Sequence, residues 1–159
     1  MRWAATLGRA VISGTVASVV SSASLGLLAR AEGKGVLQPV NATSHWLNGR
    51  KAAAVEGADV THTVVGYATH HAATVFWAVL FEGLIGARRP LGALPILQYA
   101  AATAAIAAAV DYGATPRRFT PGWEFVLSKR AMAAAYVAMA AGLAASALVT
   151  RRRDAMQTA

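Results

Sequence analysis

The chain contains no cysteine. Disulfides, cysteine-held iron–sulfur clusters and thiol catalysis are therefore excluded, while the compartment is left open. Charge is scarce too: charged residues make up 14% of the sequence, against roughly 25% in an ordinary soluble domain. The acidic residues are the scarcer, with 7 Asp and Glu against 15 Lys and Arg and a formal net charge of +8. Such a balance can signal nucleic acid, but no nucleic-acid partner is expected here. The arginines Arg2, Arg9, Arg88, Arg89 and Arg151 to Arg153 sit beside apolar runs, a placement that suits phospholipid headgroups and membrane topology.

What is abundant is apolar sequence. Hydrophobic residues make up 56% of 159 residues, enough for one domain. A helix rises about 1.5 Å per residue, so about 20 apolar residues cross the roughly 30 Å hydrocarbon core. Four runs qualify, at about 10–29, 61–86, 91–112 and 129–149. The expected fold is all-α, an integral membrane four-helix bundle with a short interfacial helix in the first loop. An even count puts both termini on one side. The arginines crowding the ends of the runs, densest at Arg151 to Arg153, place the termini inside. Heavy use of Ala and Arg has the look of a GC-rich bacterial genome, and the expected location is the bacterial inner membrane, multi-pass, with the lipid bilayer as the first partner.

Small residues recur at four-residue spacing in two of these runs. Gly14, Ser18, Ser22 and Gly26 form one stripe, and Ala134, Ala138, Gly142 and Ser146 form another. Such stripes let helix backbones approach closely, and the hydroxyls can bond back to their own helix carbonyls. The first run has a rival reading. Its basic start, modest apolar run and Ala29-Arg30-Ala31 match a secretory signal peptide with a small-x-small cleavage site. The regular stripe favours a retained helix.

Punctuation separates the runs. Pro39 to Gly49 reads as a short helix capped by Asn41 or Thr43, with Trp46 at the headgroup level. Arg88-Arg89-Pro90 reads as a tight connection. Thr120-Pro121 reads as a helix start, with Glu124 in its first turn.

The second run carries three of the four histidines and a glutamate. Ionisable groups inside an apolar span are costly and point to function. His62 and His70 share a face but stand about 12 Å apart along the axis, too far to hold one ion. His70 and His71 point about 100° apart. His71 and Glu82 share another face at about 16 Å. A bis-histidine haem needs facing histidines on two helices. No metal and no cofactor are expected. A proton relay through His70, His71 and Glu82 would need links from other elements, for which His45, Asn48 and Asp111 are the candidates. The plain alternatives are that the histidines hydrogen-bond within the bundle, that Glu82 is hydrated near the interface, and that Asp111 pairs with Arg117, Arg118 or Lys129.

Three blocks look familiar together: Pro39 to Trp46, His70 to Ala78 with Phe81-Glu82, and Pro116 to Glu124. They resemble small proteobacterial inner-membrane proteins of unknown function, and the layout is loosely similar to the YagU-type (DUF1440) inner-membrane family. The resemblance implies location and architecture, and no chemistry. With no complete catalytic constellation, the expected function is non-enzymatic: a structural or interaction protein, as a homo-oligomer or with a membrane partner protein. The alternative is a small oligomeric transporter or proton-linked channel using the mid-span His and Glu residues.

Overall fold

A computed structural model describes residues 2–86 and 91–157. It is all-helical. Six α-helices follow one another, α1 (Arg2–Ala31), α2 (Gln38–Thr43), α3 (His45–Asn48), α4 (Val65–Gly86), α5 (Ala93–Ala109) and α6 (Lys129–Gln157). A π-helical turn at Val60–Val64 leads into α4, and another at Val110–Ala114 ends α5. Four helical segments are long and apolar enough to cross a membrane: Trp3–Ala31, Val60–Gly86, Ala93–Ala114 and Lys129–Arg151. Large apolar side chains such as Ile12, Leu27, Phe76, Leu97 and Val137 stay exposed on their outward faces. In water such a belt would be a liability; against acyl chains it is the favourable arrangement. The expected turn Arg88-Arg89-Pro90 lies outside the described residues.

α1 is the shared wall of the bundle. It packs on both α4 and α6, whereas α5 packs on α6 and only lightly on α4. Glycines set the two close crossings. A Cβ on Gly14 would stand 2.6 Å from Cα of Val75 on α4, and one on Gly142 would stand 2.6 Å from Cα of Ala17 on α1. Gly14, Ser18 and Gly26 are buried and Ser22 is half-buried. In the second stripe only Gly142 and Ser146 are buried; Ala138 is half-buried and Ala134 is exposed. The reason is helical phase. Four residues turn about 400°, so a four-residue stripe drifts about 40° per step. Over three steps it wraps about a third of the way round. On α1 the drift lets Gly14 meet α4 while Gly26 meets Val36 of the following loop. On α6 it carries Ala134 out of the interface, and the inward line begins instead at Ala131 and Ala135.

The first loop carries its short helical stretch in two pieces rather than one. α2 and α3 are two short helices broken at Ser44, and every residue from Gln38 to His45 is buried. They close one end of the bundle. α2 lies on α4 at Gly66, where an added Cβ would overlap the carbonyl oxygen of Val40. Asn41 does not cap the helix. Its amide donates to the carbonyls of Val55 (2.8 Å) and Gly57 (2.9 Å), and its oxygen accepts from Thr63 Oγ1 (2.7 Å). Gln38 likewise accepts from the Gly35 amide (2.7 Å) and donates to the Ala53 carbonyl (3.0 Å). The loop backbone thus satisfies these two buried amide side chains, as burial demands.

The second loop docks on the same end. Thr120-Pro121 does not begin α6. Gly122 takes a left-handed conformation (φ 81°), a 3-10 turn follows at Trp123–Phe125, and α6 starts at Lys129. Ser128 supplies the cap, its Oγ accepting from the Ala131 amide at 3.2 Å. Glu32, just past α1, accepts from both the amide and the hydroxyl of Ser128. Those bonds hold its carboxyl below the usual glutamate range.

Candidate binding cavity at the loop end

Where α2–α3 and the second loop meet the helices, they enclose a cavity of about 380 Å³. Its size falls in the range of ordinary small-molecule sites. α4 contributes Thr69, His70, Ala73, Thr74 and Trp77; α6 contributes Tyr136 and Met139; the turn after α5 contributes Asp111; the loops contribute Thr43, Trp46, Phe119, Thr120, Pro121 and Trp123. Ala73 of α4 and Phe119 of the second loop are exposed, so the cavity communicates with the exterior past both.

Aromatic rings dominate the walls. Trp123 is 3% exposed. Its ring centre is 5.6 Å from that of His70 and 5.4 Å from that of Tyr136, and its indole N–H donates to Thr43 Oγ1 at 3.2 Å. The Trp46 N–H donates to Thr69 Oγ1 at 3.1 Å. The tryptophans are thus held by hydrogen bonds that fix their orientation.

His70 is buried against α1. Its Nε2 lies 2.9 Å from Ser21 Oγ, and the Ser21 hydroxyl hydrogen is already given to the Ala17 carbonyl at 2.7 Å. The contact ties α4 to α1 at the cavity wall. Asp111 receives a 2.6 Å hydrogen bond from the Tyr136 hydroxyl. The expected pairing with Arg117, Arg118 or Lys129 is not formed; no lysine or arginine pairs with Asp111 among the described residues.

The other sequence candidates lie elsewhere. His62 belongs to a helix cap: Asp59 accepts from its backbone amide (2.6 Å) and stands 2.8 Å from its ring Nδ1. These bonds draw the Asp59 carboxyl below its ordinary range. His71 stacks on Tyr67 with ring centres 6.0 Å apart, outside the cavity, and its buried Nδ1 lacks a hydrogen-bond partner. Glu82 is buried near the opposite end of α4 and accepts from Ser13 Oγ of α1 at 2.5 Å. The charges of Arg9 and Arg151 act on it. It stands twelve residues beyond His70, about 18 Å along the axis, so the two form separate sites. His45 is a clasp between the loops. Its Nδ1 is 3.0 Å from the Ala42 carbonyl and its Nε2 is 3.2 Å from the Arg117 carbonyl. Among the described residues no three His, Asp or Glu side chains gather closely enough to hold a metal ion.

Sequence reading missed Tyr136, Trp123 and Ser21 as parts of this site. Tyr136 carried a signal: it is the one aromatic residue of α6, set in an alanine-rich run. No protein-family model, curated protein or solved structure matches this chain.

Proposed function

We propose that this chain is a multi-pass protein of the bacterial inner membrane, termini inside, that binds a small amphipathic molecule in the loop-end cavity and carries out no catalysis. The observation that supports this reading is the cavity itself: a chamber of about 380 Å³ with aromatic walls, onto which a few polar side chains converge, His70 and Asp111 among them. A few placed polar groups in an apolar chamber orient a ligand without transforming it. Within the small-residue stripes, Gly14 and Gly142 serve packing inside the chain, against Val75 and Ala17.

Because the chain has no native cysteine, single reporters test this directly. Thr74 is buried but lines the cavity, whereas Ala78, one turn on, is buried in helix packing. In membranes, Thr74→Cys is expected to react with the small uncharged reagent methyl methanethiosulfonate, and Ala78→Cys to stay silent. If both stay silent, the cavity admits no small molecule and the reading fails.

A second reading is a small oligomeric transporter. It is favoured by α4 carrying two buried ionisable residues, His70 and Glu82, near opposite ends and each bonded to a serine of α1. Proteoliposomes would then conduct protons or cations with the wild-type protein and lose that conductance with Glu82→Gln. Identical leak from both would exclude Glu82-dependent transport.

A further inference from the structure

We propose that the cavity's ligand is a lipophilic organic cation, an aryl-substituted ammonium or quaternary ammonium, with Asp111 as its counter-charge. The inference rests on the reading of the cavity as a binding site and adds the chemical class of what it takes.

Three observations converge. First, the walls are aromatic: Trp46, Trp77, Trp123 and Tyr136 surround one space. Ring faces carry negative potential, and electron-rich rings grouped about a space are the usual receptacle for an alkylated ammonium, which has no strong hydrogen bonds to lose. Second, a carboxylate lines the same space, and its described partner is a neutral hydroxyl, that of Tyr136. Asp111 lies in the Ala93–Ala114 segment, one of the four long enough to span a membrane. A carboxylate in such a segment ordinarily meets a cation or loses its charge. The protein provides no lysine or arginine for it among the described residues, but it does provide a chamber beside it. Third, the hydroxyls of the lining have given away their hydrogens. Thr43, Thr69 and Thr74 donate to the carbonyls of Pro39, Val65 and His70, Thr120 to Glu124, and Tyr136 to Asp111. A chamber that presents a carboxylate and hydroxyl lone pairs suits a positively charged or N–H-bearing ligand and disfavours an anion.

The route of entry narrows the class further. Arg50, Arg117 and Arg118 line a groove on the outer side of the same loops. Arg118 donates to the Trp46 carbonyl at 3.1 Å, and the Arg50 guanidinium lies 4.7 Å from the centre of the Phe125 ring. That positive rim repels a cation arriving through the loops. On the loop side the opening at Phe119 lies beneath Arg118, 6.0 Å from the ring centre, whereas the opening at Ala73 lies on a membrane-length segment, the side an apolar molecule dissolved in the bilayer would reach. A cation entering there must be lipid-soluble, which small hydrated amines are not.

The test uses the full chain in nanodiscs with Trp3→Phe, which removes the one tryptophan away from the cavity. Tryptophan fluorescence is titrated with benzyltrimethylammonium and with neopentylbenzene, its uncharged carbon isostere. Saturable quenching by the cation is expected, with the isostere much weaker. Asp111→Asn is expected to weaken the cation about tenfold or more, because it removes the opposite charge from a poorly screened site, and to leave the isostere unchanged. Equal binding of both probes, or no effect of Asp111→Asn, overturns the cation assignment and leaves the cavity reading standing. Silence from both probes while Thr74→Cys still reacts with the uncharged thiol reagent does the same. Silence from the probes and from Thr74→Cys removes both readings. Should Asp111→Asn fail to fold, protection of Thr74→Cys from the thiol reagent decides the matter: the cation protects and the isostere does not, and equal protection overturns the proposal.

Discussion

Gly142→Leu is expected to abolish the folded bundle in detergent. The crossing of α1 and α6 places the position of a Gly142 Cβ 2.6 Å from Cα of Ala17 and 3.1 Å from its nitrogen. Carbon atoms pack at about 3.5–4.0 Å, so even a methyl group needs α1 and α6 to part by about 1 Å. Backbone cannot swing aside as a side chain can. A gap of that width forfeits a quarter to a half of each dispersion contact along the interface, and in a bilayer this packing has no hydrophobic effect to support it. Gly142→Ala is expected to cost roughly 1–3 kcal/mol, the usual range for overpacking, and Gly142→Leu well beyond that. Gly8→Leu is the control, since no atom stands within 4 Å of a Cβ there. Thermal unfolding of the purified variants separates the outcomes. A Gly142→Leu protein melting with the wild type would mean that α1 and α6 do not cross at this point.

Gly122→Ala is expected to detach the second loop. Gly122 has φ 81°, which costs an ordinary residue about 1–2 kcal/mol. An added Cβ would also stand 2.5 Å from the Ala42 carbonyl oxygen and 2.8 Å from His45 Nδ1. Both atoms belong to the clasp that joins the two loops, so the methyl drives apart the groups that close the cavity. Gly33 also has a positive φ (71°), at a helix end closed by the left-handed cap bonds of Lys34 to Ala29 and Gly33 to Arg30, and no atom lies within 4 Å of its Cβ position. Gly33→Ala therefore measures the conformational cost alone. Gly122→Ala should cost at least about twice as much. It should also speed alkylation of Thr74→Cys, because Trp123 sits in the displaced turn and walls that cavity. Equal destabilisation by the two variants, with unchanged alkylation, would show that the loops do not touch here.

The four long helices were legible in the sequence because crossing a bilayer demands length and apolarity, and both can be counted. The close crossings were half legible. Four-residue spacing marked Gly14 and Gly142, but helical phase decided which stripe members turned inward, and Ala134 did not. The loop end was the least legible part. Asn41 and Gln38 act through carbonyls 14–16 residues away, and no local pattern announces such a partner. Thr120-Pro121 carried the residues of a helix start, yet Gly122 takes a left-handed turn that breaks it. In the cavity lining, Asp111 stood out in the sequence as an ionisable residue at a span end. The sequence offered three cations nearby, while the fold chose Tyr136 on α6, 25 residues away.

The position of α1 bears on how the chain enters the membrane. Helices are delivered to the bilayer in order of synthesis, so α1 is present before α4 arrives. When α4 follows, it brings Glu82 and His70, and ionisable side chains within an inserting helix are costly. The serines that receive those two side chains, Ser13 and Ser21, are already waiting on α1. The first helix thus offers the second membrane-length segment its polar partners at the moment they are needed, and the order of the helices along the gene becomes part of how the fold is reached.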